Sequence, residues 1–118
     1  MAREPHQTLD GSIITELVRP EHEGSENLSV AQAVIGVGKT TLLHFHRSTE
    51  EVYYVLQGWG TLRIAGRQVT IGPGEAHLIR PGEEHSVSCV GETPLKLLCL
   101  CAPPYQHEDT VVRDRVVV

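Results

Sequence analysis

The chain has 118 residues, 40% of them hydrophobic, and a formal net charge of −5, a profile typical of one globular domain. Its apolar runs are too short to span a membrane as a helix, and the acidic balance argues against a nucleic-acid partner. The N-terminal residues lack the apolar stretch of a secretory signal, and the three cysteines form no Cys-x-x-Cys pair, so a cytoplasmic protein is expected. Seven histidines beside one Phe and one Trp point towards metal chemistry.

The first 27 residues are mostly polar and are predicted to form an N-terminal arm, with a short strand at residues 12–18. Residues 20–27 predict a solvated loop. Between residues 28 and 102, short runs of β-forming residues are interrupted by Gly and Pro, which is typical of an all-β sandwich or barrel. These runs are residues 28–35, 40–46, 52–57, 61–64, 68–71, 77–80, 86–90 and 95–101.

Residues 103–118 are predicted to form a C-terminal extension. Its polar first part, residues 103–110, either covers a mouth of the barrel with Tyr105 or His107 or stays solvated. Its apolar second part, residues 111–118, predicts an edge strand that is able to pair with a neighbouring subunit.

Because side chains alternate along a strand, residue parity predicts which of them share a face. Three such faces carry the candidate metal-binding side chains: Leu42, His44 and His46; Glu51, Tyr53, Val55 and Gln57; His85, Val87 and Cys89. If all three line one interior, three histidines and a carboxylate meet among apolar groups, which is costly without a bound partner. This donor set suits one divalent transition metal per chain (Fe, Mn, Ni, Co, Cu or Zn), and an octahedral ion would keep two positions open.

The residues of this set have a distinctive spacing, Gly38-x5-His44-x-His46-x4-Glu51-x6-Gly58. It resembles the first motif of the cupin superfamily, G(X)5HXH(X)3,4E(X)6G, and matches that motif in full.

A second spacing, Gly74-x7-Gly82-x2-His85-x3-Cys89, resembles the second cupin motif, G(X)5PXG(X)2H(X)3N. Arg80 stands where Pro is usual, and Cys89 stands where Asn is usual. Neither departure affects a ligand position, although the one at Arg80 bears on the geometry of the loop.

The resemblance covers roughly residues 28–102 and is to small single-domain cupins of the cupin 2 type. It implies a jelly-roll barrel (a double-stranded β-helix), usually dimeric, with a metal near one mouth. The ligands that it implies are His44, His46, Glu51 and His85. Since the motif tolerates two spacings, Glu50 competes with Glu51; the longer spacing favours Glu51, which leaves Glu50 as a rim carboxylate.

The resemblance implies a metal-dependent enzyme with a small-molecule substrate, most simply a dioxygenase. One alternative is an isomerase or lyase in which the ion is a Lewis acid, with Glu50, Tyr53 or His77 transferring protons; another is a barrel that binds a metabolite without catalysis. His77 is alternatively a structural or surface residue, and Cys89 is alternatively a buried, inert thiol. Parity predicts a mostly apolar pocket, which favours a small, apolar or aromatic substrate: Leu42, Tyr53, Val55, Gln57, Val87 and Cys89.

Overall fold

Two antiparallel β-sheets pack face to face in the computed structural model of the chain, which describes residues 3–113. The strands are β1 (His6–Gln7), β2 (Ile13–Val18), β3 (Ser29–Ile35), β4 (His44–His46), β5 (Glu50–Gln57), β6 (Trp59–Ile64), β7 (Arg67–Ile71), β8 (Ala76–Ile79), β9 (His85–Val90), β10 (Leu95–Ala102) and β11 (Thr110–Val112). The first sheet has the strand order β1-β2-β3-β10-β5-β8 and the second has β11-β4-β9-β6-β7. The predicted all-β jelly roll is thereby confirmed.

The core between the sheets is built by alternation along the strands. On β10, the side chains of Leu95, Leu97, Cys99 and Cys101 are buried, whereas Leu100 is 39% exposed. On β5, Tyr53 and Val55 face inward in the same way. Each fully buried aliphatic side chain contributes about 1.5–3 kcal/mol relative to an exposed one, so the packed interior holds the two sheets together.

The turn between β5 and β6 requires a glycine for steric reasons. Gly58 has φ +85°, and a Cβ there would lie 2.5 Å from the carbonyl oxygen of Pro94. Gly66, in the turn between β6 and β7, has φ +80° but open space around it. The motif glycine at position 58 therefore serves close packing as well as turn geometry.

The N-terminal arm is part of the barrel wall. β2 pairs with β3 from Ile13↔Val34 onwards, and β1 pairs with β2. The expectation of a loop throughout residues 20–27 is wrong at its start, where Pro20–Glu23 form a single helical turn, α1. Pro20 is pre-organised for the first helical position, and Gly24 ends the turn in the left-handed conformation, φ +77°.

The C-terminal segment also joins the barrel. A short 3-10 helix, His107–Asp109, leads into β11, which pairs with β4 of the same chain. The predicted edge strand thus begins at Thr110, and its last five residues, 114–118, lie outside the described residues. No helix within residues 3–113 is long and apolar enough to cross a membrane.

Candidate metal centre

Three buried histidines meet on the inner face of the second sheet. His44 and His46 lie two residues apart on β4 and so point to the same side, and His85 begins β9 directly opposite His44. Their exposed fractions are 2%, 4% and 0%. One ring nitrogen from each lies within 4.8 Å of the other two. The alternation that the sequence predicts therefore produces a histidine cluster.

Backbone carbonyls hold two of the three rings in a defined orientation. The Nδ1 of His44 lies 2.8 Å from the carbonyl oxygen of Leu42, and the Nδ1 of His85 lies 2.9 Å from that of Glu83. A carbonyl oxygen only accepts, so each Nδ1 carries the proton and each Nε2 presents a lone pair. Burial, together with the neighbouring His85, lowers the pKa of His44, which keeps its ring neutral.

A threonine from the C-terminal strand orients the third ring. The Nδ1 of His46 lies 3.0 Å from Oγ1 of Thr110, and that hydroxyl donates to the carbonyl oxygen of Gln106 at 3.3 Å. With its own hydrogen used there, the Thr110 oxygen accepts the His46 Nδ1–H. The Nε2 of His46 is then also a lone-pair donor directed inward.

Glu51 brings a carboxylate to the cluster from β5. Its Oε1 lies 3.2 Å from Nε2 of His46 and 3.7 Å from Nε2 of His85, and its Oε2 accepts the thiol hydrogen of Cys101 at 3.4 Å. Burial alone would raise the pKa of Glu51, but hydrogen bonds and charge from His46 and His85, when these rings carry a proton on Nε2, outweigh burial and lower that pKa to about 2. A bound cation would take the place of those protons. Glu51 is therefore an ionised acceptor.

These side chains fit a divalent transition ion. Three Nε2 lone pairs and a carboxylate face one another, and among the described residues the buried His85 Nε2 has no hydrogen-bond partner. Two donors each about 2.1 Å from one ion stand about 3.0 Å apart at a right angle and about 3.4 Å apart at a tetrahedral angle. The separations of Glu51 from His46 and His85 are close to that range. The residues that would hold the ion are His44, His46, Glu51 and His85.

The loop before β9 is intact despite its departure from the second motif. Arg80 donates its backbone N–H to Oε1 of Glu83 at 2.7 Å, a bond that proline at that position does not make. The carbonyl of Glu83 in turn orients His85, and the N–H of Gly82 donates to the carbonyl of His46 at 2.8 Å. This loop therefore supports two of the histidines.

A cavity of about 60 Å³ opens beside the centre, enough for a few water molecules or a small organic ligand. Of the six residues predicted to line the pocket, Tyr53 and Val87 do so. Val55 and Cys89 are packed into the hydrophobic core instead. Leu42 is half-buried and outside the lining, and Gln57 is exposed at the end of β5. Parity identified the face of these residues but not their depth along the barrel.

The structure separates the three candidates for proton transfer. Tyr53 lies at the cavity, with its ring 5.9 Å from that of His85, and burial raises the pKa of its phenol well above the ordinary value. Glu50 is exposed, on the opposite side of β5 from Glu51. His77 lies on β8 with its Nε2 3.0 Å from Oε1 of Glu75. The structure brings neither Glu50 nor His77 to the cavity.

Residues of the C-terminal segment line the mouth of the cavity, among them Tyr105, one of the two residues that the sequence suggested for this position. The ring of Tyr105 packs edge-on against the ring of His46, with centroids 5.9 Å apart. The backbone N–H of Tyr105 donates to Oγ of Ser29. Arg19 lines the same mouth, and its guanidinium binds Glu16 and the carbonyl of Tyr105. Because its charge is already paired, Arg19 is a structural element of the mouth.

Sequence reasoning missed two residues that touch the histidines. Asp10 places Oδ2 3.6 Å from Nε2 of His44, and Thr110 orients His46. Both residues lie outside the motifs. The sequence around Asp10 indicates only a turn at Gly11, and the sequence around Thr110 indicates only a run of β-branched residues.

Comparisons with known proteins agree with this architecture. A family model described as "Cupin domain" matches residues 31–101. Protein MJ1618 of Methanocaldococcus jannaschii is 40% identical over 110 residues, which cover 93% of this chain and 88% of that protein. The oxalate-binding protein of Thermotoga maritima is 35% identical over 63 residues, 53% of this chain and 52% of that protein.

A solved structure has the same fold as this chain. The crystal structure of a predicted oxalate decarboxylase from Thermotoga maritima superposes with a TM-score of 0.74 at 26% identity, over 85% of this chain and 90% of that one. The family match spans more than half of the chain, and the residues of both motifs fall within it. This chain belongs to the cupin family.

Proposed function

We propose that this protein is a metal-dependent enzyme that acts on a small organic substrate beside an ion held by His44, His46, Glu51 and His85. The observation that carries the proposal is the convergence of three Nε2 lone pairs and an ionised carboxylate at the wall of a small cavity. A divalent transition ion bound there would supply redox or Lewis-acid chemistry. The donor set accommodates Fe, Mn, Ni, Co, Cu or Zn.

The cavity walls favour a substrate of a few heavy atoms with an apolar body. Ile14, Ala33, Val87 and Leu97 are among the lining residues, and Tyr105 covers the mouth and limits entry of water. A curated relative and a solved structure similar to this chain, both from Thermotoga maritima, are named for oxalate, which supports a substrate that binds through oxygen, such as a small carboxylate.

Dioxygenase-type oxidation is the first reaction that we propose. Four protein ligands leave two positions of an octahedral ion for small ligands, and the buried, largely apolar surroundings suit dioxygen. The expected signature is oxygen consumption that depends on the organic substrate.

A lyase or isomerase reaction is the second candidate, and the two tyrosines favour it. Burial raises the pKa of both Tyr53 and Tyr105, so both phenols keep their protons at neutral pH. Their rings flank His85 and His46 respectively. They are therefore placed to donate a proton to a substrate at the ion. Binding of a metabolite without turnover would remain if neither reaction is found, and one relative is named for binding alone.

Elemental analysis of protein purified without an affinity tag tests the metal assignment. About one transition ion per chain is expected in the wild type, with a large loss in His44→Ala and His85→Ala. His77→Ala is the matched control because His77 lies away from the centre, and it should retain full occupancy. Equal occupancy in all four proteins would contradict the assignment.

Oxygen-electrode measurements then separate the reaction classes. With the loaded protein and a panel of enols, diketones, thiols and small carboxylates, substrate-dependent oxygen uptake would establish the dioxygenase. Substrate conversion without uptake would establish the lyase or isomerase, and binding without conversion would overturn the enzyme proposal.

We also propose that the protein is a homodimer joined through the outer face of the first sheet. Tyr54, Leu56, Leu78 and Leu100 on that face are 38–41% exposed, and β-strand pairing brings them together across β5, β8 and β10. Contiguous apolar patches of this kind commonly mark interfaces. Leu100→Lys should convert a dimer to a monomer in analytical ultracentrifugation, whereas Arg63→Glu on the other sheet should not.

For the location of the protein, we infer the cytoplasm. Its three cysteines, Cys89, Cys99 and Cys101, are buried free thiols, as is usual in a reducing compartment. A fractionation experiment that finds the protein outside the cytoplasm would contradict this.

A further inference from the structure

Asp10 lies at the candidate metal centre although it belongs to the N-terminal segment. Its Oδ2 is 3.6 Å from Nε2 of His44, and its side chain is 15% exposed. The backbone N–H of Leu42 donates to the carbonyl of Asp10 at 2.7 Å. This bond ties the Asp10 turn to the residues that precede His44, so the position of the carboxylate follows that of the histidine.

The turn around Asp10 aims its carboxylate at the centre. Oδ1 accepts three hydrogen bonds, from the Thr8 hydroxyl at 2.7 Å, the Ser12 N–H at 2.9 Å and the Ser12 hydroxyl at 2.6 Å. Gly11 permits the turn with φ +93°. With Oδ1 engaged in this way, Oδ2 is directed at His44.

The contact between Asp10 and His44 joins two acceptors. The Nδ1–H of His44 is used by the carbonyl of Leu42, so the Nε2 that faces Asp10 has a lone pair. A carboxylate oxygen and a lone pair facing each other in a buried site repel unless a cation lies between them. Their separation is similar to those of Glu51 from His46 and His85, and to the spacing of two ligands of one ion.

We propose that Asp10 is a fifth protein ligand of the metal centre, binding the ion through Oδ2. The inference rests on the proposed function, because it requires that the histidine cluster holds a metal.

Charge balance supports a second carboxylate. The three imidazoles are neutral ligands, so a divalent ion with Glu51 alone would leave one uncompensated positive charge in a buried site. Asp10 cancels it. A second carboxylate also favours harder ions such as Mn²⁺ and Fe²⁺ over softer ones.

Titration of the metal-free protein with Co²⁺ tests the proposal without any enzyme assay. Asp10→Asn is the informative variant because asparagine keeps the Oδ1 acceptor of the turn and replaces Oδ2 with an amide NH₂ that does not bind metals. Loss of a direct ligand should weaken Co²⁺ binding at least about 10-fold and should change the visible absorption of bound Co²⁺. Glu75→Gln, which neutralises an exposed carboxylate paired with His77 away from the centre, should bind within about 3-fold of wild type.

The outcomes are distinguishable. Equal Co²⁺ affinity and an equal spectrum in wild type and Asp10→Asn would overturn the inference and leave the proposed metal centre standing. Failure of the wild type to bind Co²⁺ would overturn both. Thermal melting of the metal-free proteins shows whether Asp10→Asn folds. If it does not, Asp10→Ser, which keeps a short acceptor for Ser12, is held to the same criterion.

Discussion

Removing the Thr110 hydroxyl should weaken metal binding although Thr110 is not itself a ligand. The change is Thr110→Val, which keeps the shape of the side chain and removes the oxygen that accepts the His46 Nδ1–H at 3.0 Å. Leaving that N–H without an acceptor costs about 1–3 kcal/mol. The ring escapes the cost by moving its proton to Nε2, where Oε1 of Glu51 is a ready acceptor at 3.2 Å.

The tautomer protonated at Nε2 is unable to bind the metal through that atom. Metal binding therefore requires the proton to return to Nδ1, and the free energy of that shift weakens the observed affinity. At about 1.4 kcal/mol per tenfold change, a cost of 1–3 kcal/mol lowers affinity about 5- to 150-fold, which agrees with the effect of losing a partner of a metal-bound histidine. Competition between the protein and a chromophoric chelator for Zn²⁺ measures this directly.

Two further variants make the result specific. Thr110→Ser restores the hydroxyl and should restore affinity. Thr40→Val removes a hydroxyl that pairs with Ser88 at an exposed site and should leave affinity within about twofold of wild type. Wild-type affinity in Thr110→Val would refute the tautomer argument.

Two further predictions concern stability, measured by urea unfolding. Burial opposes ionisation of Asp109, but hydrogen bonds from the loop after β4 outweigh it and lower its pKa. Its stabilising contribution should therefore be complete above its unfolded pKa of about 3.9 and be lost as the pH falls through the lower folded pKa. Asp109→Asn should cost about 0.5–1.5 kcal/mol at pH 6 and much less at pH 2.5; an equal cost at both pH values would contradict this. Gly58→Ala and Gly66→Ala both place Ala at positive φ, which costs about 1–2 kcal/mol of stability. Only Gly58→Ala also forces a Cβ against a backbone carbonyl, so this variant should be clearly the more destabilised. Equal losses of stability would rule out the steric argument.

Motif spacing and strand parity together predicted the fold, and the structure brings the four side chains that they singled out into one interior. The prediction of one shared interior holds because the two histidines of β4 are neighbours on one face. The short connection after β4 returns the chain to Glu51 on β5, and the loop with Gly82 leads directly into His85 on β9. Motif spacing favoured Glu51 over Glu50, and in the structure these adjacent residues of β5 face opposite sides, with Glu51 buried and Glu50 exposed.

Parity was less informative about the pocket because it gives a direction and no depth. Val55 has the parity of Tyr53 but lies two residues further along β5, where the sheets close on the core. The positions of Asp10 and Thr110 beside the histidines could not be predicted from the sequence for a different reason. Their positions depend on pairing with segments more than 30 residues away along the chain, and no local pattern reports such contacts. The helical turn at Pro20 was readable, since a proline followed by a glycine four residues later signals its start and end.

The position of Asp10, Tyr105 and Thr110 in the chain has a consequence for how such proteins diversify. Residues 31–101, the part that matches the family model, contain every motif residue yet none of these three. If the proposed centre binds a metal, two cupins with identical motifs but different chain ends are expected to differ in metal affinity, charge balance and access. A protein trimmed to residues 31–101 would keep the motif residues and lose strands β1, β2 and β11 together with these three side chains. The chain ends that the family match omits therefore complete both the sheets and the wall of the candidate centre in this protein.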